Sequence, residues 1–564
     1  MVTKLKAFFQ GNIFLPLFLI ISIFAVGLFH NPAAFTAAAA LCIYLAVITV
    51  KNKEIKLNIS ISSASVFVLV LFYLLSSIWA VDSGVAMFGF YRYLSVALFM
   101  IVMMQKNAPS KDVLFNVVAY CGAVMTVVSA VLMQIPALKA SFSIAERLAG
   151  FWQYPNSFAL FLLCGVLILI TKNKLRIIDF ITIPVLIFGI LYSGSRIVFA
   201  IMVVSIIAAI IFRRGRKIKL IIGGVFAAVI IAALIYAFVS GNIRVLTRFL
   251  TSSLTESSFV GRILYWLDSL PLIASHPFGI GYMGYYYTHT SIQTGVYYLS
   301  FIHNDFLQLI IDVGILPAGF FIFALVRSFL KKGTSLRVRL LLFAICAHSF
   351  FDFDLQYMVM VMLLVLCMDL EEGKQITIKE GLTTVCVAAG ALCTLLVYFT
   401  VGQASYLLGN AELAYAMNSG DTLAAVQVLA HENNNDKVIE LADDIIERNE
   451  YCSIAYSAKA RASFAKGDLL TAMENKHKVF ELTPFDHDEY TEYCKMLVYS
   501  IDRYEQMGDS YSAQVCRGEL IETVTTINSL GDKLSPLGTM IKDQPQTKIV
   551  GELAVYIKEY MEND

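Results

Sequence analysis

Charge is scarce in this chain. Only 15% of its 564 residues are Asp, Glu, Lys or Arg, and 58% are hydrophobic. That balance excludes an ordinary soluble globule, in which about a quarter of the residues are charged. Cysteine supplies no framework. Seven of the ten (Cys42, Cys121, Cys164, Cys346, Cys367, Cys386 and Cys393) fall in long apolar runs, where a thiol acts as a small hydrophobe. Cys452, Cys494 and Cys516 are an odd set without metal-ligand spacing. Free thiols are unusual in an oxidising compartment, which weighs against export of that segment unless the setting is weakly oxidising. No Cys/His cluster, phosphate loop or GxSxG elbow is present. Metal, nucleotide and hydrolase chemistry therefore lack a motif, and no metal or cofactor is expected.

Long apolar runs are what the chain has instead. A helix needs about 20 apolar residues to cross the hydrocarbon core. Spans are predicted near 13–30, 33–50, 62–80, 85–104, 112–133, 155–171, 176–192, 195–212, 217–239, 305–330, 336–350, 354–369 and 381–401. The first lacks a small-residue cleavage site and is followed at once by others, so it does not read as a cleavable signal. The expectation is an all-α fold: a polytopic transmembrane bundle of about 12–13 spans over residues 1–402, then a helical soluble domain over 403–564.

Lys and Arg fix the orientation. Lys4 and Lys6 precede the first span. Lys51, Lys53 and Lys56 follow the second, Lys106 and Lys111 the fourth, and Lys172, Lys174 and Arg176 the sixth. Arg213, Arg214, Arg216, Lys217 and Lys219 follow the eighth, and Lys331, Lys332, Arg337 and Arg339 the tenth. Every second connection is basic and hence cytoplasmic. The large polar loop, about 240–304, then faces outward, as does 134–156. At the flank 371–374 the charge bias is weak, so the last crossing depends on 381–401 spanning.

The near-zero net charge hides a division. Residues 402–564 hold 27 acidic and 14 basic side chains, leaving 15 acidic and 29 basic for the rest. The positive-inside pattern accounts for the basic part without nucleic acid as a partner. In the acidic tail, small residues at 453–460 lead to Gly467-Asp468, then an amphipathic run, then Pro484. Gly-Asp recurs at 420–421 and 508–509. This is similar to the tetratricopeptide repeat, and predicts a short TPR-like solenoid of about three units. A plain helical bundle is the alternative.

Four membrane-proximal stretches carry polar chemistry. The first is Arg147-Leu148-Ala149-Gly150-Phe151-Trp152-Gln153-Tyr154-Pro155-Asn156. The second is Tyr192-Ser193-Gly194-Ser195-Arg196. Gly261-Arg262-Ile263-Leu264-Tyr265-Trp266 and His276-Pro277-Phe278-Gly279-Ile280-Gly281 make the third. The fourth is His303-Asn304-Asp305-Phe306-Leu307-Gln308 with Asp312-Val313-Gly314. In order, spacing and expected topology these resemble the O-antigen ligase and polymerase superfamily of bacterial envelope glycosyltransferases, over about residues 1–370.

That resemblance implies metal-independent transfer of a glycan at the outer face of the membrane. The donor would be a polyprenyl-diphosphate-linked saccharide and the acceptor a hydroxyl on a glycan, lipid or protein. Ligase and polymerase differ in the acceptor; a lipid-linked glycan transporter is a rival reading, although mid-span charges are sparse. A diphosphate at the membrane surface needs fixed cations, and Arg pairs two phosphate oxygens with its planar fork. Arg196 and Arg262 are the expected ligands, with Arg147 third. His303 is the expected general base for the acceptor hydroxyl, since imidazole titrates near neutrality; it could instead bind phosphate, or sit at a helix start capped by Asn304 or Asp305. Asn156 and Asn304 are candidate substrate contacts. His276 and His289 read as loop residues. Tyr282, Tyr285, Tyr286, Tyr287, Tyr297 and Tyr298 crowd the loop. Such rings can stack on sugars, as is expected for Tyr282, but a membrane-interface belt suits most of them.

An odd number of spans from an inside N-terminus puts the tail outside, where it could hold an acceptor or protein partner. A membrane-impermeant thiol reagent on intact cells should then label Cys452, Cys494 or Cys516 if one is exposed. Labelling only after lysis would place the tail inside.

Overall fold

The computed structural model describes residues 13–106, 108–213, 223–224, 227, 231 and 257–562. The span expected at 217–239 lies outside the described residues except at 223–224, 227 and 231, and Lys4, Lys6, Arg214, Arg216, Lys217 and Lys219 lie wholly outside them. The chain divides into two compact units: Met1–Leu75, Met87–Ser252 and His303–Ala404 form one, and Ser76–Ala86, Ser253–Ile302 and Ser405–Asp564 the other.

The first unit is built of apolar helices. Pro155–Ile170 is its centre, buried along its whole length except at Asn156. Pro155 starts it because a helix's first residues have no intrahelical use for a backbone N–H. Around it stand Lys111–Leu132, Ile177–Ser193, Arg196–Phe212 and Leu336–Ser349. A helix apolar on nearly every side belongs inside a bundle, and this sequence is mostly Leu, Ile, Val and Phe, with no charge.

Helices occur at every described predicted span, but only four are long and apolar enough to cross a membrane alone: Asn31–Asn52, Ser83–Met103, Lys111–Leu132 and Leu382–Leu407. Three of the others are shortened by backbone breaks. The run 13–30 becomes Phe14–Phe24 and a single turn. The run 305–330 becomes Asp305–Val313 and Ile315–Leu330, parted at Gly314. There φ is +92°, a conformation that glycine alone adopts without strain. At 354–369 the helix proper is only Met358–Cys367, ten residues and fully buried; at 1.5 Å per residue it spans half the hydrocarbon core.

The described residues are mainly helical, as expected of an all-α fold, with two short antiparallel ribbons besides. Ile55–Ile59 pairs with Lys374–Ile378, and Ser143–Ile144 pairs with Arg147–Leu148. Side chains lock the first: Gln105 exchanges hydrogen bonds with both backbone groups of Lys56, and the Asn58 amide donates to the Leu370 carbonyl at 2.6 Å. Local sequence gave no notice of this pairing, because its strands lie more than 300 residues apart.

One charge in a span was passed over. Arg92, 1% exposed, lies within Ser83–Met103. It donates to the carbonyls of Phe29 and Gln356, each at 2.5 Å, and to Asn31 Oδ1 at 3.0 Å. Its guanidinium satisfies carbonyls freed where two helices break, which is how a buried cation becomes tolerable.

In the second unit, the tail's helices follow the expected turns. Ser453–Ala465 and Leu469–Leu482 meet at Gly467-Asp468, and His487–Gln506 and Ser510–Asn528 at Gly508-Asp509. Asp468 and Asp509 each cap the next helix, accepting at 3.1 Å from Thr471 and Ser512 backbone N–H groups. Cys452, Cys494 and Cys516 are all buried, so none can report on the tail's side. The loop has a core of its own, where Val260, Leu264, Tyr297 and Ile541 pack together. Asp82, in the turn 76–86, accepts from Asn449 Nδ2 at 3.1 Å; burial pushes its carboxyl up, offset by Thr422, the Val85 N–H and Asn449.

Gly84 meets Gly420 so closely that an added Cβ would lie 1.8 Å from the Gly420 carbonyl oxygen. Gly84→Ala should therefore destabilise this unit by about 1–3 kcal/mol, the usual cost of overpacking. Limited proteolysis of the solubilised full chain should release the tail faster than in Gly319→Ala, where nothing lies within 4 Å. Equal release would show that the contact carries no stability.

Candidate functional site

At the N-terminal end of the buried helix Pro155–Ile170, a carboxylate gathers side chains from distant parts of the chain. Asp352 is fully buried in the turn after Leu336–Ser349. Its oxygens accept from the Tyr154 hydroxyl at 2.9 Å, from Asn156 Nδ2 at 2.9 Å and from the Phe353 backbone N–H at 3.1 Å. His303 Nδ1 lies 3.1 Å from Asp352 Oδ1. The imidazole is one-fifth exposed, so the pair has a buried anion and a ring that reaches solvent. An edge-to-face contact with Phe353 fixes the ring, with centroids 5.0 Å apart.

The network continues through the first motif. Asn156 Oδ1 receives Arg147 Nη2 at 2.5 Å, and Arg147 Nε donates to the Ser193 carbonyl at 2.6 Å. Ser193 ends its helix three residues before Arg196 begins the next. Hydrogen bonds thus join the first, second and fourth motif stretches. Arg147 and Asn156, expected to touch substrate, here also hold each other and Asp352.

A second carboxylate supports the same turn. Asp354 accepts from Ser157 Oγ at 2.7 Å and lies 2.6 Å from His348 Nδ1. Asp305 accepts from the Leu355 N–H at 2.9 Å. Behind them Trp152 stacks on Tyr357 at 4.8 Å and donates to the Ile23 carbonyl at 3.0 Å. Gly150 is needed at this corner: its φ is +63°, and a Cβ would lie 2.6 Å from the Phe158 ring.

Other expected residues have different surroundings. Asn304 caps Asp305–Val313, its Oδ1 accepting from the Phe306 and Leu307 N–H groups at 3.1 Å each. Those bonds serve the helix and include no open substrate contact. His303 stands just before that cap with φ +54°. Asp312 is buried between Tyr73 at 3.0 Å and Gln308 at 2.8 Å. Arg262 is half-buried in Ser257–Ser275, in the second unit.

The tyrosine belt is corrected. Tyr282, Tyr285, Tyr287 and Tyr297 are buried in the second unit, and only Tyr298 of the six is fully exposed. The loop folds as part of a compact unit, so its rings find protein partners; the Tyr297 hydroxyl donates to Asp268 at 2.8 Å. His289 is structural as well: Nε2 accepts from the Leu299 N–H at 3.2 Å while Nδ1 meets the Tyr286 carbonyl at 2.9 Å. Burial pushes its imidazole down, against the pull of those carbonyl bonds. His276 is exposed at its helix's end, bonded to Ser275 and the Leu272 carbonyl. No group of three or more His, Cys, Asp or Glu able to hold a metal occurs among the described residues.

Sequence reasoning missed Asp352 and Tyr154 as site residues. One signal was available: the acid pair in Phe351-Asp352-Phe353-Asp354 stands at an outer span end in an acid-poor half of the chain.

No curated protein matches the chain. Residues 181–324 match the family model described as O-antigen ligase. That stretch includes Ser193, Arg196, Arg262, His303 and Asp312, whereas Arg147, Tyr154, Asn156 and Asp352 lie beyond it and reach the site by folding. Residues 181–324 thus make up an O-antigen ligase-type domain within the chain.

Proposed function

We propose that this chain is a membrane glycosyltransferase that moves a glycan from a polyprenyl-diphosphate carrier to an acceptor hydroxyl at the outer face of the membrane, in cell-surface polysaccharide assembly. The observation that carries this reading is the pairing of a partly exposed His303 with the buried Asp352. A buried carboxylate on Nδ1 holds the imidazole in one tautomer and stabilises the cation formed when Nε2 takes a proton. The acceptor oxygen attacks the anomeric carbon as its proton passes to His303 Nε2. The bond from that carbon to the phosphate oxygen breaks, and the diphosphate leaves with the electron pair. Arg196 and Arg262, from the sequence motifs, are the proposed cations for that leaving group. Arg147 and Asn156 orient the dyad, and the donor sugar has Asn156 and Tyr154 as neighbours of the base.

Four observations support an outward tail and loop. The ribbon Ile55–Ile59 with Lys374–Ile378 keeps the connection after 381–401's predecessor on the side of the basic connection at 51–56. Glu372 pairs with Arg327 and Lys331, which explains the weak charge bias at that flank. Leu382–Leu407 then follows, with only 11% of its apolar window buried, so lipid is its natural surroundings. Turn, loop and tail also share one compact unit, which favours one side for all three.

His303→Ala should lower transfer by roughly 10²–10⁴-fold with donor binding largely kept, the range for a positioned acid–base group. Asp352→Asn should lose rate in the same manner through the tautomer, and Arg262→Ala should weaken donor binding and rate together. Product analysis of purified protein with a lipid-linked donor measures all three and separates ligase from polymerase by acceptor. Lost donor affinity in His303→Ala would make the histidine a phosphate ligand; a loss below about tenfold would remove the base assignment. Chelators should have no effect.

Asn433→Cys puts an exposed thiol in the tail. It should react with an impermeant reagent on intact cells; reaction only after lysis would place the tail in the cytoplasm.

A further inference from the structure

Helix Ser257–Ser275 buries polar side chains and exposes apolar ones. Its buried face carries Asp268 and Ser269 beside Val260, Leu264 and Leu272. Asp268 is satisfied inward, accepting from the Thr294 backbone N–H at 2.8 Å, the Thr294 hydroxyl at 2.7 Å and the Tyr297 hydroxyl. Apart from Ser258 and Ser275 near its ends, the exposed positions are apolar. Leu267 and Leu270 are each 49% exposed, Ala274 is exposed and Ile263 half-buried. These four recur at steps of four, three and four residues, so they form one stripe. Phe278, just beyond the helix, is 62% exposed.

We propose that this stripe lies in the interfacial layer of the bilayer, with phospholipid acyl chains as its occupant. The neighbouring turn 76–86 argues for lipid. It joins the apolar helix Ile61–Ser76 to Ser83–Met103, which is long enough to cross the membrane, so it stands at the membrane surface. Ile78 is 74% exposed there and Trp79 45%, and tryptophan favours that boundary. The loop is fastened to this turn: the Val81 N–H donates to the Ile280 carbonyl at 3.0 Å, and a Cβ on Gly281 would lie 2.4 Å from Ala80 Cβ. The segment that follows the helix is therefore held at the level of the membrane surface. A helix with an apolar stripe at that level lies in the interface. Arg262, beside Ile263, then sits at headgroup depth, where a lipid-linked diphosphate carries its charge. That last step rests on the proposed donor chemistry; the lipid contact does not.

Tryptophan fluorescence of the full chain in vesicles tests the contact. The chain has three tryptophans, and Trp152 is buried. In a Trp79→Phe/Trp266→Phe background, Leu267→Trp and Leu270→Trp each add one reporter on the stripe. Tyr511→Trp, at a 79% exposed position in the tail, is the aqueous control. Phospholipid brominated high on its acyl chains should quench most of the added stripe emission and little of the control, while aqueous iodide should do the reverse. Quenching of the stripe by iodide alone would overturn the proposal, as would quenching by neither, since protein would then cover it. Two stripe sites guard against one variant misfolding, which size-exclusion elution reports. Because transfer is not read, failure here leaves the glycosyltransferase reading standing, and a failed transfer assay leaves the lipid contact standing.

Discussion

The buried carboxylate of Asp352 is the constraint on which the site depends. An ionised group removed from water costs several kcal/mol unless donors surround it. Asp352 has four: the Tyr154 hydroxyl, the Asn156 amide, the Phe353 N–H and the His303 ring. They come from three segments nearly 200 residues apart at the extreme, so satisfying one anion brings those segments together. The candidate site and the fold share a cause here. The anion that needs donors is the anion that orients the histidine.

The membrane setting makes this arrangement possible. Broken helices leave backbone groups without partners, and in lipid such groups must be satisfied by protein. Arg92 does so at Phe29 and Gln356, and Trp152 at Ile23. Both act close to the turn that bears Asp352 and Asp354. Short helices such as Met358–Cys367 end inside the protein, and that is how polar turns are held within a mainly apolar unit.

The second unit shows a different economy. Its acidic tail shares a core with the loop, through Ile541 against Leu264 and Tyr297 and through Ser535, whose N–H reaches the Thr294 carbonyl at 2.9 Å. A long polar loop would otherwise be mobile and variable. Here the tail supplies the contacts that give it a fixed form, and so fixes the helix that bears Arg262.

Much of the protein was legible in sequence because local rules govern it. Apolar runs announce helices, and Gly-Asp pairs announce turns at 467–468 and 508–509. The motif stretches and the family also lay in local order. What the sequence left open were the meetings: Ile55–Ile59 with Lys374–Ile378, Arg92 with Gln356, Asp352 with Tyr154 and Asn156, and the loop tyrosines with protein in place of lipid. Spacing along a chain carries no information about which distant turns will share a buried charge. Only the folded packing decided that, because the desolvation cost of a carboxylate is met by whichever donors the tertiary structure brings within hydrogen-bond reach.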